Sequence, residues 1–216
     1  MKLHTQETLA SMTPEKALQF LKEGNNRFVN NLKVNRDLLE QVNSYKDNQF
    51  PFAIILSCMD SRTTVEHIFD QGLGDVFVLR VAGNVINEDI IGSMEYACGV
   101  VGSKLILVLG HSKCGAIKGA CDGVQMGQLT QLLQKVNPAI MTVRNAQPGL
   151  KRTDKAFVDA VTQQNVTFAM DAILRESSIL NKLHDEGKVG LVGAFYDVET
   201  GAVDFMHERI PLAATA

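Results

Sequence analysis

Phe52-Ala53-Ile54-Ile55-Leu56-Ser57-Cys58-Met59-Asp60-Ser61-Arg62 is an apolar run that breaks into a polar, chemically loaded tail. Residues 52–56 have strand length and no polar alternation, the pattern of a parallel strand covered on both faces. Two further runs, 76–81 and 105–109, read the same way. The second leads into Gly110-His111-Ser112-Lys113-Cys114-Gly115. Helices are predicted between and after these strands at 63–70, 89–101 and 115–121. A long helical region with a break at Pro138 runs to about 147, another covers 154–175, and a third starts near Ser177 and stops at Gly187. Residues 189–197 predict a fourth strand, and Glu199-Thr200-Gly201 turns the chain into a last, antiparallel strand at 202–206. The alternation gives an α/β domain: a mostly parallel central sheet of about four parallel strands plus an antiparallel edge strand, flanked by helices.

A helix over 13–30 precedes the sheet. Thr13 can cap it, Pro14 suits its first position and Glu15 favours its dipole. Ala17, Leu18, Leu21 and Phe28 share one face, and a polar spacer comes next. This N-terminal helical arm could cover its own sheet or a neighbouring subunit. The expected organisation is one domain over 1–216, with the arm at 1–48, a chemical core at 49–123 and helices with the last strands at 124–216. A composition 45% hydrophobic and 21% charged excludes a disordered chain. A net charge of −3 without a basic cluster excludes a nucleic-acid footprint. No apolar run has transmembrane length and no secretory h-region is visible, so no membrane partner and a cytoplasmic location are expected. Four cysteines, at 58, 98, 114 and 121, are too few for a disulfide scaffold and read as ligands or core thiols.

In open parallel sheets, function gathers at the carboxyl ends of the strands. Cys58 follows the first strand, His111 the third, and Cys114 stands where a helix begins. If those strands are neighbours, two thiols and an imidazole converge. Two Cys and one His form a three-ligand set for Zn²⁺ with the fourth tetrahedral position open to water, as catalysis requires. Gly110 and Gly115 flank the turn and are expected to let it bend. Asp60 alone could ligate the metal and close the site. Paired bidentately with Arg62, it would instead orient metal-bound water. Cys98 and Cys121 have no ligand partner at local spacing and read as core residues. His67, on a predicted helix, is structural or an outer-shell donor.

Cys58-x-Asp60-x-Arg62 with His111-x-x-Cys114 resembles the signature of the β-class carbonic anhydrases, from about Gln49 to Gly123. The resemblance implies a lyase that interconverts carbon dioxide and bicarbonate by attack of zinc-bound hydroxide, working as a homodimer or dimer of dimers. It implies an apolar carbon dioxide pocket lined by Gln49, Phe77, Tyr96 and Gly115, partly from the partner subunit. Asp60 would be a metal ligand only in a closed form of the site. Relatives with an allosteric bicarbonate site carry Trp and Gly where Ile55 and Ser57 stand, so that site is expected to be missing. Many relatives also carry Asn where Val81 stands in Arg80-Val81-Ala82-Gly83-Asn84. Carbon disulfide and carbonyl sulfide hydrolases share the same scaffold and ligands and remain an alternative, as does a non-catalytic zinc module. A P-loop is excluded: Gly110-x-x-x-x-Gly115 is followed by Ala116, and the lysine comes only at Lys118.

Overall fold

A computed structural model describes residues 4–211, so both ends of the expected 1–216 domain lie outside it. Helices α1 (Gln6–Ala10), α2 (Pro14–Val29) and α3 (Leu38–Tyr45) precede β1 (Ala53–Ser57). Then come α4 (Val65–Ile68), β2 (Val76–Arg80), a 3₁₀ turn (Ala82–Asn84), α5 (Glu88–Glu95) and a π-helical turn (Tyr96–Val101). β3 (Leu105–His111) is followed by α6 (Gly115–Asp122), α7 (Gly127–Gln134), α8 (Asn137–Ala146), α9 (Lys155–Glu176) and α10 (Ser178–Asp185). β4 (Gly190–Tyr196) and β5 (Val203–Arg209) complete the sheet. Its order is β2-β1-β3-β4-β5. The first four strands run parallel, and β5 pairs antiparallel with β4 across a register shift at Gly193/Ala194.

β1 and β3 are buried at every position. Successive side chains point to opposite faces. Ala53, Ile55, Leu105, Leu107 and Leu109 therefore meet α2 and α4 on one side. Ile54, Leu56, Ile106 and Val108 meet α5, α9 and α10 on the other. Thr13 caps α2 by accepting from the Lys16 N–H, and Pro14 starts the helix. Ala17, Leu18 and Leu21 bury against the chain's own strands, so α2 covers its own sheet. The polar spacer after it contains α3, capped by the Asp37 side chain, which accepts from the Glu40 N–H.

Three local expectations are corrected. The break before α8 lies at 135–136, not at Pro138, because Pro138 occupies the first turn of α8, where no intrahelical N–H is needed. The helix expected over 89–101 ends at Glu95 and continues as the π-helical turn, which Gly102 closes at φ +93°. Neither Gly110 nor Gly115 bends the chain; Lys113 does, at φ +55°. Gly110 serves close packing instead. A Cβ there would stand 2.8 Å from Val166 Cγ2, and one at Gly193 would stand 2.5 Å from Met170 Sδ. Bare backbone at these two positions lets α9 lie directly on β3 and β4.

Asp70 fastens the N-terminal region to the body. Its Oδ2 accepts from Arg27 Nε at 2.6 Å and its Oδ1 from Arg36 at 2.6 Å, with the carboxylate 3% exposed. Burial pushes this carboxyl up, but the hydrogen bonds from Arg27 and Arg36 outweigh it and the net direction is down. A carboxyl lowered by folding stabilises fully above its unfolded value, about 3.9, and the increment is lost as pH falls through the folded value. Asp70→Asn should therefore destabilise by about 3 kcal/mol near neutrality, since it removes the buried counter-charge that two guanidinium groups share. Denaturant titrations should show that gap close below pH 4. A gap that persists there would assign the effect to packing.

Candidate metal centre

β1 and β3 are adjacent, with Ser57 opposite Leu109. Cys58, one step beyond the pair, and His111, two steps beyond it, thus leave the sheet at the same edge. Cys114 stands at the N-cap of α6. The ligand atoms of Cys58, His111 and Cys114 all lie within 4.8 Å of one another. The three residues are 3%, 0% and 0% exposed, respectively. Among the described residues no other Cys or His joins this group.

Orientation is fixed from behind. His111 Nδ1 is 2.9 Å from the Ser112 carbonyl oxygen, which leaves Nε2 to face the thiols. That Nε2 is buried with no hydrogen-bond partner. The Gly83 N–H donates to Cys58 Sγ at 3.3 Å, and Thr63 Oγ donates to the Cys58 carbonyl at 3.0 Å. The two sulfurs are 3.9 Å apart. Two thiolates each about 2.3 Å from a tetrahedral zinc would stand about 3.8 Å apart, so the donor set fits that ion. An orphaned imidazole nitrogen aimed at the same point fits it as well.

The electrostatics favour a cation. The Cys58 thiol is pulled down to about 4, first by the hydrogen bond from Cys114 and, against burial, by His111 and the Gly83 N–H. The same bond and burial push Cys114 up. The hydrogen bond between the two sulfurs needs a proton, which a divalent ion can displace. Cys98 and Cys121 behave oppositely: burial pushes them up to about 12 and about 11, as inert core thiols. His67 is exposed on α4.

Asp60 lies outside the three-donor group. Its Oδ1 accepts from the Arg62 N–H and Nε at 2.9 Å each, and its Oδ2 accepts from Arg62 Nη2 at 2.8 Å. The Arg62 side chain holds the Asp60 carboxyl down at about 2. Arg62 also donates to the Lys113 carbonyl at 3.3 Å, which joins the two loops. Gly115, exposed at the start of α6, has open space beside it.

The remaining expected pocket residues do not gather here within one chain. Gln49 is exposed ahead of β1, at the end of the strand opposite Cys58. Phe77 pairs with Ile54, near the start of β1. Phe77 and Tyr96, with ring centroids 6.4 Å apart, line a groove of about 580 Å³ along the open β2 edge.

Two contributors carry no assignment from the sequence. Arg80 donates to the Cys58 carbonyl at 3.1 Å and to the Asp60 carbonyl at 2.5 Å, clamping the loop after β1. Gly83 supplies the N–H to the Cys58 sulfur. A signal for both exists: Arg80 ends β2 and Gly83 stands just beyond it, and the carboxyl end of that strand opens on the same edge.

The carbonic anhydrase family model matches residues 53–203. Carbonic anhydrase 2 of Mycobacterium tuberculosis is 35% identical over 199 residues, covering 89% of this chain and 93% of the relative. The carbonic anhydrase of Mycolicibacterium smegmatis is 34% identical over 202 residues, covering 91% and 95%. Among solved structures, the β-carbonic anhydrase CcaA superposes with a TM-score of 0.70 at 26% identity, over 90% of this chain and 99% of that one. A tetrameric β-carbonic anhydrase from Sordaria macrospora, 24% identical over 77% of this chain and 89% of that one, shares the fold with a TM-score of 0.69. With a family model spanning most of the chain and relatives aligned nearly end to end, this protein belongs to the β-class carbonic anhydrases.

Proposed function

We propose that Cys58, His111 and Cys114 hold a Zn²⁺ ion and that the chain there hydrates carbon dioxide reversibly to bicarbonate and a proton. The observation that carries this reading is the buried three-donor cluster with Asp60 locked onto Arg62 beside it. Bound zinc supplies Lewis acidity that makes water a nucleophile near neutral pH, an effect for which carbonic anhydrases are the standard instance. The protein does the rest. Asp60, ionised down to about pH 2, has Oδ1 filled by two Arg62 donors and Oδ2 by one, which leaves a site on Oδ2 to accept a hydrogen bond from the attacking water. Arg62 fixes the direction of that carboxylate and, by occupying it, keeps the fourth ligand position clear.

Three of the four expected pocket residues call for a second copy of the chain, Gly115 standing beside Cys114 in its own. Gln49, Phe77 and Tyr96 lie away from the thiols of their own chain, so they would line carbon dioxide's approach across a subunit boundary. Two features support a homodimer, or a dimer of dimers. Tyr96 is 53% exposed beside the open β2 edge, and α3 buries no residue while exposing Leu38, Leu39 and Val42. Among the described residues no helix is long and apolar enough to cross a membrane. All four cysteines are free, which suits the reducing cytoplasm.

Three outcomes test this reading. Purified protein should carry about one zinc per chain, and Cys114→Ser or His111→Ala should lose it; full retention in either variant would exclude the ligand set. Asp60→Asn should keep zinc yet lower hydration about a hundredfold or more, because an amide cannot serve as the same acceptor. Arg62→Ala should also keep zinc and lose activity by freeing Asp60 to take the fourth position. Near-normal turnover in both would make the pair incidental. Joint substitution Leu39→Lys and Val42→Lys should shift sedimentation toward monomer and lower activity at unchanged zinc content. A dimer that persists at full activity would place the interface elsewhere.

A further inference from the structure

Asn165 lies on α9, far beyond the three donors in sequence, and is 5% exposed. Its Nδ2 donates to the Gly83 carbonyl at 3.0 Å. The N–H of the same glycine donates to the Cys58 sulfur at 3.3 Å. A single glycine thus stands between a buried amide and a donor thiol. Gly83 holds φ +68° and ψ 16°, and glycine populates left- and right-handed conformations almost equally. Its neighbours do not clamp it sterically: a Cβ there would meet nothing nearer than Ala116 Cβ at 3.4 Å. The orientation of its peptides therefore rests on hydrogen bonds. One is the turn bond from the Asn84 N–H to the Val81 carbonyl at 3.0 Å. A second, on the same peptide, comes from Asn165, and the N–H of the preceding peptide is held by its bond to the Cys58 sulfur.

We infer that Asn165 is a positioning residue for the metal centre: by anchoring the Gly83 carbonyl it keeps the Gly83 N–H aimed at the Cys58 sulfur and so sets how strongly that thiolate holds a metal. This rests on the reading of Cys58 as a zinc ligand. A hydrogen bond to a ligating thiolate fixes the direction of its lone pairs and lowers their energy. Groups standing behind metal ligands are commonly worth about 10–100-fold in affinity, and hydrogen bonds to metal-bound sulfur tune its electronic properties. Asn165 itself touches no reacting atom. It acts through Gly83.

The test uses the full-length protein loaded with zinc or with cobalt(II). Asn165→Leu keeps the volume and removes the donor. Competition with a chromophoric chelator should show zinc held about 10–100-fold more weakly. The thiolate-to-cobalt charge-transfer band should move to longer wavelength, because a sulfur lone pair that has lost its hydrogen bond gives up an electron more easily. Ile173→Ala, on the same helix and buried in the core away from Gly83, should lower thermal stability without moving the band. If Asn165→Leu does not fold, Asn165→Ala is read in the same way. Wild-type zinc affinity and band position in the Asn165 variant would overturn the inference, as would Ile173→Ala reproducing both changes. Wild-type protein with no cobalt–thiolate band would overturn the ligand reading beneath it.

Discussion

Parallel pairing of β1 with β3, in the register that sets Ser57 against Leu109, is the constraint on which the rest of the molecule depends. The two loops that carry chemistry are continuations of these strands, so their relative height is the strands' relative height. A slip of one residue would move one donor by about 3.3 Å along the sheet and turn alternate side chains to the wrong face. Burial on both faces forbids that slip. α9 reinforces it by resting on the bare backbone of Gly110 and Gly193, where a Cβ would stand 2.8 Å from a methyl of Val166 in each case. The convergence of two thiols and an imidazole is thus a property of the whole sheet.

The turn from His111 to Cys114 shows how such a site is kept under strain. Lys113 adopts a left-handed conformation at φ +55°, which costs an L-residue about 1 kcal/mol. Surrounding contacts over-determine it. The Ser112 hydroxyl donates to Asp197 at 2.8 Å, and the Ser112 N–H donates to the Tyr196 carbonyl. Lys113 pairs with Glu199 at 2.8 Å, and its carbonyl accepts from Arg62. The guanidinium that holds Asp60 therefore also holds the turn bearing Cys114.

Legibility in the sequence tracks how local each signal is. The apolar runs at β1 and β3 announce buried strands, and Thr13-Pro14 announces α2 within a residue of its start. The three donors and the Asp60–Arg62 pair are legible because each motif is short and contiguous. α3 escapes notice because none of its residues is buried, so it carries no core-facing stripe, although Asp37 and Glu40 stand at capping distance. The break near Pro138 is placed too late because proline marks a helix's first turn as readily as its end. The conversion of residues 96–101 to a π-helical turn changes hydrogen bonding without changing the apolar pattern. Arg80 and Gly83 are recoverable by applying the strand-end rule to β2 as well as to its neighbours. Asn165 is not, since nothing in its helix distinguishes it until tertiary packing brings Gly83 against it.

The distance of α9 from the donors along the chain bears on how the protein comes into being. All three donors have left the ribosome once Cys114 has emerged, while α9, β4 and β5 are still unmade. The contacts that finish the sheet join residues far apart, such as Leu105 with Gly190 and Asn25 with Val203. Contacts of that kind form late and slowly. Until those contacts form, the donor loops lack the α9 wall that encloses them. The donor group is enclosed only when the carboxyl-terminal third of the chain arrives and sets Phe157, Val158 and Val161 of α9 into the cluster that buries Cys58 and Cys114.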